Sequence, residues 1–152
     1  MFNNYKRFPF MNMPCRGHET DYGPEPYAAD ISKAALHNGN YRTVLWTGNH
    51  LQLTLMSIPA GGDIGLEMHP DLDQLLYIEE GRGLVRMGRE KDSLSFRQPA
   101  YKGYAVFVPS GTWHNLINTG GRPLKLFSVY APPNHPRGAV HQTKEIAEAN
   151  EN

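Results

Sequence analysis

Four side chains in this sequence carry lone pairs at a spacing that suits one metal ion. Glu67, His69 and Gln74 lie within GGDIGLEMHPDLDQLLYIEEG, and His114 lies within GYAVFVPSGTWHNLIN. Two imidazoles and one carboxylate on one side of a divalent first-row ion form a set of intermediate hardness that leaves coordination positions open. Glu67, His69 and His114 supply that set. The amide oxygen of Gln74 is a neutral fourth donor, which leaves roughly two positions of an octahedron for water or substrate. One carboxylate and two neutral imidazoles around a divalent ion sum to a net charge of about plus one. Such a site favours an anionic or enolate-like ligand, toward whose oxygen the ion acts as a Lewis acid.

Extended chain must position these groups. Glu67 and His69 are two residues apart, so on a strand they share a face. Residues 70–73 form a break rich in turn formers, and QLLYIEE then reads as a second strand whose first residue, Gln74, can face back toward Glu67 and His69. The β pattern begins earlier, with YRTVLWTG and HLQLTLMSIP. In the latter, Leu51, Leu53 and Leu55 share one face and Gln52, Thr54 and Met56 the other, which makes one face core and the other pocket or surface. Gly81-Arg82-Gly83 reads as a turn, LVRM as a strand, and GREKDSLSF as a polar hairpin tip with a return strand. A loop of that kind on a rigid scaffold can shape a pocket rim. GYAVFVP is a short apolar strand, PSGT a turn, and WHNLIN a strand with His114, Leu116 and Asn118 on one face; RPLKLFSVYAP follows. Some eight strands with almost no helix suit an all-β, antiparallel jelly-roll barrel of two sheets.

Both metal-donor segments resemble the signature motifs of the cupin superfamily. The first motif has Gly, His, His, Glu and Gly at fixed spacing, matched here by Gly61, Glu67, His69, Gln74 and Gly81, with Glu67 in place of the usual His and Gln74 in place of the usual Glu. The second is matched in type and spacing by Gly103, Pro109, Gly111, His114 and Asn118. The resemblance implies a single-domain cupin barrel over residues 41–132, with an N-terminal arm and short helix (1–40) before it and a tail with a short helix (133–152) after it. It also implies one divalent transition metal per chain, manganese or iron foremost, with zinc, nickel or cobalt also admissible. Asp73 is the alternative to Gln74 as fourth ligand, because the family's gap is three or four residues. The usual assembly of small cupins is a homodimer. The activities implied are a mononuclear metal enzyme (lyase, isomerase or hydrolase) acting on a small polar sugar-like or hydroxy-acid molecule, an iron-dependent dioxygenase, and a non-catalytic small-molecule-binding or coat protein. In the enzyme reading Glu67 is the catalytic candidate, moving a proton if it leaves the metal.

Composition narrows the alternatives. At 152 residues the chain holds one domain with a real core. Fifteen basic residues balance fifteen acidic ones without a run of like charge, which argues against a nucleic-acid or anionic-membrane partner. The lone cysteine, Cys15, has no partner for an internal disulfide, no secretion signal is read at the N-terminus, and no apolar run is long enough to span a membrane. These features predict a soluble, cytoplasmic protein. Residues 1–27 show no period of two or 3.6, and Phe2, Tyr5, Phe8 and Phe10 suit an arm laid on a second subunit. Asp30 caps a short helix, ISKAALH, that Asn38 and Gly39 end, and another short helix starts near Thr143. His135 and His141 are candidates to fold over the barrel mouth as acid or base. Arg82 and Arg86 can hold a carboxylate, whereas Tyr77, Tyr104, Trp113 and Tyr130 read as core or interface aromatics. His18, His37 and His50 show no partner spacing.

Overall fold

A computed structural model of the chain describes residues 21–151, so the aromatic arm, Cys15 and His18 lie outside the described residues. Among the described residues nine strands and two short helices follow one another: α1 (Ile31–His37), β1 (Arg42–Thr47), β2 (Gln52–Ile58), β3 (Asp73–Glu80), β4 (Arg82–Gly88), β5 (Phe96–Tyr101), β6 (Ala105–Val108), β7 (Trp113–Asn118), β8 (Leu124–Ala131), β9 (Val140–His141) and α2 (Lys144–Asn150). They form a six-stranded sheet in the order β6-β3-β8-β2-β1-β9 and a three-stranded sheet in the order β5-β4-β7, with every named pairing antiparallel. The two sheets enclose one main apolar cluster, including Met56, Ile58, Leu76, Ile78, Val85, Leu116, Leu124 and Leu126. This is the jelly-roll barrel that the alternating strands predict. None of the described helices is long and apolar enough to cross a membrane.

Register explains why the barrel has a polar end. Directly opposed residues project from the same face of a sheet. Across β2, β8 and β3 the rows run Gln52–Tyr130–Gln74, then Thr54–Ser128–Leu76, then Met56–Leu126–Ile78. All nine side chains are buried. Polar groups therefore line the barrel at the Gln52 end, and apolar ones fill it toward Ile78. Sheltered polar groups of this kind need hydrogen bonds or an ion, since leaving one unpaired costs about 1–3 kcal/mol.

The leucine face of β2 is not solvated either. Leu55 and Leu45 pack with Ala35 of α1, and Ile31, Ala34, Leu53 and Phe127 border that contact. Helix α1 forms where the sequence predicts it. The Asp30 carboxylate accepts from the Lys33 amide at 3.0 Å, and the helix ends as the Asn38 amide donates to the carbonyls of Ala34 and Ala35. Two details depart from the sequence reading. Arg82 and Gly83 belong to β4 and pair with Tyr101 and Ala100, so the turn tightens to Gly81. The tail also adds a strand, β9, which pairs with β1 as an edge before α2 begins on its Thr143 cap.

Asp21 ties both ends of the described chain to the barrel. Its carboxylate accepts from the Gly23, Thr47 and Gly138 amides at 3.0 Å each and from the Thr47 hydroxyl at 2.6 Å. Burial alone raises its pKa, but these donors, with Arg137 nearby, bring it below the ordinary 3.8. The lowered pKa means that the carboxylate stabilises the fold at pH values above the unfolded-state pKa, and that this stability is lost as the pH falls through the folded one. Asp21→Ala is accordingly expected to cost about 2–4 kcal/mol at neutral pH, by stranding several buried donors. The difference from the parent, read from denaturant midpoints, should shrink below about pH 4 as the parent carboxyl itself protonates.

Candidate metal centre

Glu67 and His69 sit on an extended segment that runs antiparallel beside β7 without forming a regular strand. Its ladder consists of two isolated bridges, Asp63 with Ile117 and Glu67 with His114. Between the bridges four steps along this segment answer three along β7, so one extra residue is accommodated. Gly65 lies there with φ +86°, a conformation that L side chains rarely adopt. The resulting bulge places Glu67 directly opposite His114, the two exchanging backbone hydrogen bonds of 3.1 and 2.9 Å. The Gly111 amide then donates to the His69 carbonyl at 2.8 Å, anchoring the loop before β7.

The side chains converge as the spacing predicts. Nε2 of His114 lies 3.4 Å and Nε2 of His69 lies 3.5 Å from the same oxygen, Oε1 of Glu67, and the three donor atoms fall within 4.8 Å of one another. His114 is 2 % exposed, His69 15 % and Glu67 25 %. The tautomer of His114 follows from its other nitrogen, 2.9 Å from the Thr112 carbonyl. A carbonyl only accepts, so Nδ1 carries the hydrogen, and the uncharged form of the ring turns its Nε2 lone pair toward the carboxylate. Two acceptors at that distance repel unless a cation or a proton lies between them. Neither Nε2 has a hydrogen-bond partner although both are buried. Burial opposes ionisation of Glu67, but a proton from the imidazoles, standing where a cation would, outweighs it through hydrogen bonding and charge and holds the carboxyl at about 2. The donor set thus fits a divalent cation.

Gln74 opens the inner row of β3, cross-strand from Tyr130, whose ring meets His69 edge-on at 5.9 Å. Its amide nitrogen donates to the Ser128 hydroxyl at 2.9 Å, which leaves its oxygen buried and without a partner. Asp73, the alternative ligand, is exposed and accepts from the Ser110 amide at 2.9 Å, so it fastens a loop outside the cluster.

The mouth of the site carries a group the sequence suggested only loosely. His135 packs edge-on against Tyr130 at 5.0 Å. Gln52, fully buried, places it: its amide oxygen accepts from the Asn134 and His135 amides at 3.1 and 2.9 Å, and its amide nitrogen donates to the His135 carbonyl at 2.9 Å. Burial, with the Arg42 charge adding to it, depresses the His135 pKa to about 3, so the ring is neutral. Burial and the Glu67 carboxylate push the Tyr130 phenol up to about 12. His141 lies instead on β9, its ring 3.5 Å from the Arg42 guanidinium.

The remaining candidates stand away from the cluster. Tyr77 stacks on Phe127, Tyr104 meets Tyr101 edge-on, and Trp113 receives Lys91 over its face. Arg86 opposes Asn115 and Arg82 is exposed. His37 reaches the Lys33 carbonyl and His50 is exposed. The sequence reading assigned Gln52 a strand face but no role, although an amide inside an apolar strand marks a buried hydrogen-bonding site. Replacing it by Leu strands two backbone amides of the mouth loop and is expected to cost about 2–3 kcal/mol. Faster hydrogen exchange at Asn134 and His135 would report the loosened loop.

Comparison with known proteins agrees with the geometry. The family described as "Cupin domain" matches residues 54–130. YrkC of Bacillus subtilis is 58 % identical over 131 residues, covering 86 % of this chain and 70 % of its own, and protein L612 of Acanthamoeba polyphaga mimivirus is 37 % identical over 115 residues, covering 75 % and 70 %. The crystal structure of BH2720 from Bacillus halodurans superposes with a TM-score of 0.85 at 58 % identity, covering 86 % of this chain and 98 % of that one. With two motifs in frame, a two-sheet barrel around them and a Glu-His-His cluster inside it, this chain belongs to the cupin family.

Proposed function

We propose that the chain holds one divalent transition metal, manganese or iron foremost, on Glu67, His69, His114 and the Gln74 amide oxygen, and acts there on a small polar molecule. The observation that carries this reading is the opposition of the His114 lone pair and the Glu67 carboxylate at 3.4 Å, with Thr112 fixing the tautomer. An ion on these donors supplies Lewis acidity toward a ligand oxygen, which suits a lyase, isomerase or hydrolase of a sugar-like or hydroxy-acid compound.

The chain's own groups divide the remaining work. Glu67 is the charged ligand and the catalytic candidate, able to take a proton once it is released from the cluster. Tyr130 keeps its proton at neutral pH and serves as a hydrogen-bond donor beside His69. His135 is a neutral imidazole held over the mouth by Gln52, in position to accept a hydrogen bond from a ligand hydroxyl. Ser128 sets the Gln74 amide so that its oxygen, not its nitrogen, is free.

Elemental analysis of protein purified without added metal or chelator tests the reading. The parent should carry near one equivalent of metal per chain, and His69→Ala and His114→Ala less than about a tenth of that. Ser128→Ala, which loses only the group that orients Gln74, should weaken metal affinity roughly 10- to 100-fold with an unchanged circular dichroism spectrum. A parent that carries no metal and takes none up on titration overturns the proposal, and a non-catalytic binding role becomes the better account. Stoichiometric iron with substrate-dependent oxygen uptake would make the chain a dioxygenase instead.

A further inference from the structure

We infer that the cleft between the outermost strands β5 and β6 is a binding subsite for the apolar arm of a ligand whose oxygen-bearing head reaches the Glu67, His69 and His114 cluster. The inference rests on the metal reading for the head and on separate observations for the arm.

A cavity of about 620 Å³ lies at this place, within the range of small-ligand pockets. Its apolar lining comes from Met87, Phe96, Phe107 and Pro109, and its wall from the hairpin tip after β4. Met87 is the cross-strand partner of His114, and both side chains are buried on the inner face of their sheet. Thr112, the residue that fixes the His114 tautomer, also lines the cavity. The floor of the cleft is therefore one side chain away from the His114 imidazole of the candidate cluster.

The cleft is flanked by aromatics that the fold itself does not use. Phe107 is 70 % exposed and Phe96 49 % exposed, the former the most exposed large apolar side chain among the described residues. Apolar surface that is contiguous across a groove, rather than scattered singly, marks interaction and ligand-binding sites. The hairpin that walls the cavity is built to close tightly. A side chain on Gly88 would meet the Ser93 carbonyl at 2.1 Å, so only glycine fits, and Lys91 at the tip lies over the Trp113 ring, 5.4 Å from its centroid. Exposed Arg89 and Glu90 also line the cavity, which leaves the four apolar groups to receive an aliphatic or aromatic arm.

Linear alkyl hydroxamic acids, from acetyl to octanoyl, separate head from arm. Calorimetric titration of the zinc-loaded parent should show affinity rising about two- to fourfold per added methylene, the gain expected for burying a methylene group. Phe96→Ala and Phe107→Ala, both at exposed positions where the fold tolerates truncation, should flatten that dependence while leaving metal content and the affinity of the acetyl probe unchanged. The same series on metal-free protein distinguishes the two readings. A chain-length dependence that survives there supports the subsite whatever becomes of the metal, whereas loss of metal-dependent tightening of the acetyl probe counts against the metal reading alone. Affinity independent of chain length in both forms, or a dependence unaltered in both variants, overturns the subsite.

Discussion

A carboxylate and two imidazole nitrogens meet inside this barrel at distances that call for a cation or a proton between them. The opposition is built in by backbone, because the bulge at Gly65 sets Glu67 against His114 and the Thr112 carbonyl decides which ring nitrogen keeps its hydrogen. Neither device stands in the direct line of the donor set, and both are needed for it. Were Nε2 protonated instead, it would donate to Glu67 and no lone pair would remain for an ion. The choice of tautomer thus separates a satisfied buried histidine from a metal ligand.

The rest of the barrel offsets the cost of that polar interior. Gln52, Thr54, Gln74, Ser128 and Tyr130 take up interior positions that apolar residues would fill more cheaply. Most of their polar atoms are paired: Gln52 with the mouth loop and Thr47, and the Gln74 nitrogen with Ser128. Stability comes from elsewhere, from the rows below and from the outer face where α1 covers Leu55 and Leu45. Burying each of these leucines contributes about 1.5–3 kcal/mol. A small barrel can keep a polar end because its two hydrophobic clusters, one inside and one beneath α1, do not depend on that end.

Much of the fold and the clustering of Glu67, His69 and His114 were legible in the sequence because both rest on local rules. Period-two alternation found the strands, Asp30 and Thr143 announced their helices, and fixed motif spacing named Glu67, His69 and His114. Register is not local, and the failures lie there. Alternation separates the Leu53, Leu55 face of β2 from the Gln52, Thr54, Met56 face without saying which is which; the barrel takes the Gln52 face, and helix α1, earlier in the chain, covers Leu55 and borders Leu53. Strand β9 is two residues long, too short to show any period. The placing of His135 depends on Gln52, 83 residues away in sequence, a pairing that no spacing rule encodes.

The two departures from the usual ligand types bear on charge. With Gln74 neutral and Asp73 engaged with the Ser110 amide, Glu67 is the single anion of the proposed ligand set, and a divalent ion keeps a net charge of about plus one. A second carboxylate in place of Gln74 would neutralise the site and favour neutral ligands over anionic ones. It would also meet Ser128 with an acceptor where an amide N–H now donates, so the hydroxyl would have to donate and that hydrogen bond would reverse. Gln74 and Ser128 therefore form a matched pair, and the net positive charge of the proposed metal-loaded site would follow from the neutrality of the Gln74 amide. An oxygen-anion head drawn to that end, with an apolar arm in the adjoining cleft, is the ligand chemistry that the proposed ion and the proposed subsite would select together.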